Sequence, residues 1–128
     1  MKKSTGLNGR LKSFGHAFSG LLYFFKRETN AKIHAAAGLL AILFGFFFYI
    51  DKFEWFMVLS AISLVLVTEI VNTSIEVLVD LVSPEFNEMA GRVKDLAAAS
   101  VLFASGFALV IGLVVFLMPL LSALAALL

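Results

Sequence analysis

The chain has 128 residues, enough for one domain, of which 61% are hydrophobic and 15% charged, with a net charge of +1. The charged share falls well below the ~25% of a typical soluble domain, and 14 phenylalanines leave too little polar surface to wrap them in water, so a bilayer is the fitting solvent. Cysteine is absent, which excludes disulfides, thiolate metal sites and a cysteine nucleophile.

Residues 7–27 read as an amphipathic surface helix. Leu7, Leu11, Phe14, Phe18, Leu21, Leu22 and Phe25 fall within an arc of about 100°, while Lys12, His16, Ser19, Lys26 and Arg27 point elsewhere. Large apolar groups opposite basic ones suit a helix lying in the headgroup layer. The other reading, a buried helix of a small soluble bundle, finds no soluble partner in the rest of the chain. A secretory leader is not expected, because the first long apolar run begins only near Ile33.

The first span is expected over 31–50, with Asp51-Lys52-Phe53-Glu54 as a tight charged turn flanked by the interfacial aromatics Tyr49 and Trp55. The second runs over 53–82 and ends at Ser83-Pro84. A polar loop over 83–95 leads into the third span, 92–117, with Pro119 marking its frayed end. Small residues recur every fourth position at Ala37, Ala41 and Gly45, and at Ser100, Ala104, Ala108 and Gly112, a spacing that lets helix backbones approach closely in lipid. The predicted fold is therefore an all-α membrane protein with a surface helix and three transmembrane helices, in a single domain.

Charge orients it. Residues 1–32 carry seven basic groups against Glu28, and the remainder carries three basic groups and eight acids. The positive-inside rule puts the N-terminus and the 83–95 loop in the cytoplasm, and the 51–54 turn and the C-terminus outside.

Chemistry should lie on the second span. With Glu69 at zero on a helical wheel, Asn72, Thr73, Glu76 and Asp80 fall at roughly −60°, +40°, −20° and +20°, one stripe on an otherwise apolar helix. A carboxylate at mid-bilayer costs roughly 2.5–3.5 kcal/mol, so these acids must face other helices, a metal ion or a wet cleft. Counting about 20 residues inward from Trp55 puts the cytoplasmic boundary near residue 75, with Glu69 roughly two turns below it. Glu28 lies at the same level as Glu76, and two carboxylates there could hold a hard divalent cation. Lys94 and Asp95 lie on the same side, and a lysine supplies charge for phosphates. These parts suit phosphoryl transfer. Intramembrane acids also serve proton relays and cation paths, so a proton- or cation-coupled transporter and a non-catalytic assembly protein stay open at this point. No GxxxxGK[ST] loop and no HRD or DFG pattern is present, which excludes the familiar nucleotide folds but not ATP use.

The run Glu69-Ile-Val-Asn72-Thr73-Ser-Ile-Glu76-Val-Leu-Val-Asp80, followed by Glu85, by Gly91-Arg-Val-Lys94-Asp95 and by an alanine-rich helix, closely resembles the prokaryotic diacylglycerol kinase and undecaprenol kinase family. The likeness extends from about Arg10 to Phe116. It implies ATP-dependent phosphorylation of a lipid alcohol in a bacterial inner membrane, by a homotrimer whose sites are shared between subunits, with no nucleic-acid partner. It implies Glu69 as general base, in contact with the lipid substrate together with Arg10. It implies Glu28 and Glu76 as ligands of the Mg²⁺ that accompanies ATP, and His16, Asn72, Glu76, Glu85, Asn87, Lys94 and Asp95 around the nucleotide. His16 stands where members of the diacylglycerol branch often have tyrosine, and Asn87 where they have histidine. The N-terminal half, with Ser13-Phe14-x-His16-Ala17, Glu28-x-Asn30-x-x-x-His34 and Glu54-Trp55, looks more like the undecaprenol branch, and Glu85 to Asp95 more like the diacylglycerol branch. His34 is expected to make a helix-packing hydrogen bond.

Overall fold

The computed structural model describes residues 7–126, and side chains from residue 9 onward. Lys2, Lys3, the Leu7 side chain and the last two residues lie outside that range. Four helices follow one another: α1 (Leu7–Arg27), α2 (Thr29–Phe47), α3 (Lys52–Val82) and α4 (Glu88–Ala125). The last three are long and apolar enough to cross a membrane. No strand occurs among the described residues.

A single residue, Glu28, separates α1 from α2. Its backbone is extended (φ −94°, ψ 119°), and its N–H still donates to the Phe24 carbonyl at 2.9 Å. Leu11, Phe14, Phe18, Leu21 and Leu22 are all exposed, leaving the apolar arc of α1 uncovered by the chain itself. What anchors α1 is Phe24, outside that arc and only 3% exposed.

The turn between α2 and α3 is tightly built. Tyr49 adopts a left-handed backbone (φ 52°), and Ile50 N–H reaches back to the Gly45 carbonyl at 3.2 Å, which closes a Schellman motif. Asp51 then caps α3. Its carboxylate accepts from Phe53 and Glu54 N–H at 2.7 and 2.9 Å, and Glu54 returns a bond from Asp51 N–H. The charged turn expected at 51–54 is thus a capping box that satisfies the first donors of the helix.

Two boundaries of α4 differ from the sequence expectation. The polar loop is only 83–87, because the Asn87 side chain accepts from Ala90 N–H at 3.1 Å and starts the helix four residues before Arg92. The helix also continues through Pro119 to Ala125. Proline removes one bond, to the carbonyl four residues earlier. Leaving the helix within hydrocarbon would strand several polar groups instead.

The small-residue stripes allow close approach as expected at Gly45, while most of their other members line a cleft. Ala37, Ala41, Ala108 and Gly112 line an apolar cleft of about 410 Å³ between α2 and α4, floored by α3. Close approach falls to Gly38 and Gly45. A Cβ on Gly38 would stand 3.1 Å from Ile62, and one on Gly45 only 2.8 Å from the Trp55 ring. The apolar core gathers at this end, with Ile50, Val58 and Val115 packed against Phe48, Trp55 and Phe116. Most other large apolar side chains stay exposed on the single chain, as a lipid-facing surface requires.

Candidate active site

Along α3 the buried side chains are Val58, Ala61, Val65, Glu69, Asn72 and Thr73. Apart from the adjacent pair Asn72 and Thr73 they are spaced three or four residues apart, which keeps them on one side of the helix. Glu69 is 2% exposed, among the most deeply buried side chains described. The acid therefore points into the protein, not toward lipid tails.

One turn nearer the charged end, Asn72 donates through Nδ2 to Glu76 Oε1 at 2.9 Å. Its carbonyl oxygen Oδ1 is buried with no hydrogen-bond partner. Above this pair an ionic chain crosses three elements. Glu28 contacts Arg27 at 3.4 Å, Arg27 lies 4.0 Å from Asp80, and Asp80 accepts a short bond from Lys94 of α4. Arg27 also donates to the Tyr23 hydroxyl. That bond, then Glu28 and Asp80, pushes the guanidinium pKa further up, so Arg27 stays charged at any accessible pH. These pairs are partly exposed, so solvent screens each of them. Their value is positional: they tie the end of α1 and the start of α4 to the acidic face.

The structure thus brings together Glu28, Glu69, Asn72, Glu76 and Lys94 from the expected set. It leaves Arg10, His16, Glu85 and Asp95 exposed. Asn87 is also exposed, and its side chain is engaged in capping α4. Arg27 joins the site without having been singled out for it, and Asp80, a member of the predicted stripe, joins it as the partner of Lys94. The available signal for Arg27 was its adjacency to Glu28. His34 makes no helix-packing hydrogen bond with another described residue. It lines the α2–α4 cleft. Among the described residues no group of three or more His, Asp or Glu side chains gathers closely enough to hold a metal ion. The arrangement offers oxygen ligands in pairs, one unpartnered amide oxygen and one lysine, the donor set for a hard cation and a phosphate chain.

Residues 15–116 match the family model of prokaryotic diacylglycerol kinase. A diacylglycerol kinase of Escherichia coli (strain K12) is 32% identical over 101 residues, covering 79% of this chain and 83% of the relative. An undecaprenol kinase of Bacillus subtilis (strain 168) is 34% identical over 111 residues, covering 87% and 90%. A diacylglycerol kinase of Haemophilus influenzae is 34% identical over 104 residues, covering 81% and 88%.

Proposed function

Since this chain belongs to the prokaryotic diacylglycerol kinase family, we propose that it transfers the γ-phosphoryl group of ATP to the hydroxyl of a membrane lipid, diacylglycerol or undecaprenol. The observation that carries this reading is the placement of Glu69. It is a carboxylate 2% exposed, on the same helical face as the hydrogen-bonded pair Asn72 and Glu76. The transport reading left open by the bare acidic stripe gains nothing here, because each relative compared above is a kinase.

Glu69 accepts the proton of the lipid hydroxyl as the oxygen attacks the γ-phosphorus, and ADP departs with the electron pair of the broken P–O bond. Burial restricts water at Glu69, which limits wasteful hydrolysis of ATP. Lys94, Asn72, Glu85, Asn87, Asp95 and His16 surround the nucleotide, with Asp80 aiming the Lys94 ammonium. Arg10 meets the lipid head from the surface helix. Glu28 and Glu76 would hold Mg²⁺, and the unpartnered Asn72 Oδ1 fits an oxygen-seeking cation or a nucleotide donor. Bound there, Mg²⁺ supplies neutralisation of phosphate charge. Arg10, His16, Glu85, Asn87 and Asp95 stand apart in one chain, and a homotrimer with shared sites would let a neighbour's copies complete each site. The chain sits in a bacterial inner membrane with its N-terminus in the cytoplasm and its C-terminus outside. Since the sequence has no cysteine, single introduced cysteines and an impermeant thiol reagent read that orientation directly.

The decisive assay mixes purified protein, lipid micelles, Mg²⁺ and γ-labelled ATP. Label should appear in phosphatidic acid or undecaprenyl phosphate. Glu69→Gln should lower kcat by ~10²–10⁴ without lowering the melting temperature. Unaltered turnover in that variant would remove Glu69 from the chemistry, and label in neither lipid would end the kinase reading.

A further inference from the structure

The acidic stripe has two flanks, and they differ. On one side, roughly 60° from Glu69, Asn72 bonds to Glu76. That is the nucleotide side under the reading above. On the other side, roughly 40° away, Thr73 faces a pocket of about 550 Å³ between α3 and α1. Ala17, Gly20 and Phe24 form its outer wall, and Ile70, Thr73 and Val77 its inner one.

Thr73 is 4% exposed, and its Oγ1 is buried without any hydrogen-bond partner. Its neighbours show that this is not forced by the helix. Thr68 Oγ1 donates to the carbonyls of Leu64 and Val65, and Ser74 Oγ donates to that of Ile70. A buried hydroxyl left unpaired costs about 1–3 kcal/mol. The opposite wall leaves room, since a Cβ on Gly20 would meet nothing within 4 Å. Helical side chains lean toward the N-terminus of their helix, which brings the Thr73 hydroxyl toward the level of Glu69, one turn below. A hydroxyl both donates and accepts, as an alcohol does.

We propose that Thr73 Oγ1 binds an oxygen in the head of the lipid substrate, which enters through the α1–α3 pocket, so that phosphoryl acceptor and donor reach Glu69 from opposite flanks of α3. This rests on the lipid kinase reading. It adds the residue that holds the acceptor and the side from which the acceptor comes.

The test compares wild type, Thr73→Val, Thr73→Ser and Gly20→Val, with diacylglycerol and undecaprenol as separate substrates. Thr73→Val keeps the shape and deletes the hydroxyl. It should raise the lipid KM about five- to tenfold, the worth of one hydrogen bond. The ATP KM should not move, and the melting temperature should hold or rise because an unpaired group has gone. Thr73→Ser should restore the lipid KM. Gly20→Val, which fills open space across the pocket, should raise it again. A rise with diacylglycerol alone puts the contact on an ester oxygen, and a rise with both lipids puts it on the alcohol. Unchanged lipid KM in Thr73→Val and Gly20→Val overturns the proposal. So does an equal shift in ATP KM, or a lower melting temperature that Thr73→Ser does not rescue, the mark of a packing role. Wild type that phosphorylates neither lipid overturns the kinase reading and this one with it. Wild type that works beside a silent Thr73→Val sinks only this one.

Discussion

Between Val58 and Val65 the buried residues of α3 are all apolar, and from Glu69 to Thr73 they are all polar, although both stretches follow the same helical repeat. The apolar half is closely built where α2 turns into α3. Its turn has a Schellman motif and a capping box, and its packing seats the Trp55 ring on Gly45 and against Phe46, 4.8 Å between centroids. The polar half is left unfinished, with Asn72 Oδ1 and Thr73 Oγ1 buried and unpartnered. Groups held without partners are poor for stability and ready for ligands. One half of the helix fixes the fold, and the other half is held in place by it to bind and react.

Substitutions separate the two halves. After Glu69→Gln, the largest effect is expected in the polar half, from Glu76→Gln. Losing that carboxylate should cost on the order of a hundredfold in kcat/KM and raise the Mg²⁺ concentration for half-maximal rate. A Mg²⁺ titration of the variant reads both, and an unchanged titration would detach Glu76 from the cation. Next comes Gly45→Ala in the apolar half. The added methyl drives into an indole already held by Phe46, at a cost of about 1–3 kcal/mol. Thermal melting in micelles should fall, while the kcat of the surviving protein stays within twofold. Lost activity at full folding would show that the two ends are coupled. The smallest effect belongs to Tyr49→Gly. Relieving a left-handed tyrosine should raise stability by about 0.5–1 kcal/mol with no kinetic change.

The number and order of helices were legible in the sequence because apolar runs bounded by charge and proline carry that information directly. So was the acidic face, since a helical wheel needs only the repeat. The ends of α4 were not. The cap depends on a bond from Asn87 to Ala90, and an asparagine in a polar run gives no sign of whether it caps a helix or faces solvent. Pro119 misled for a related reason: the rule that proline ends a helix is a rule for water. The packing side of Gly38 was hidden because a four-residue stripe names a face but not its partner. The link from Arg27 through Asp80 to Lys94 spans three elements, and no local pattern reports such a path.

The one-residue joint at Glu28 has a consequence for the length of the chain. Inserting or deleting a residue there would turn α1 against α2 by about 100°. The Glu28 carboxylate would swing away from the acidic face, and Phe24 would leave its seat. The five-residue link at 83–87 has slack to absorb the same change. Variation in length should therefore be tolerated at one end of α3 and α4 and rejected at the corner between α1 and α2, where spacing itself acts as a structural element.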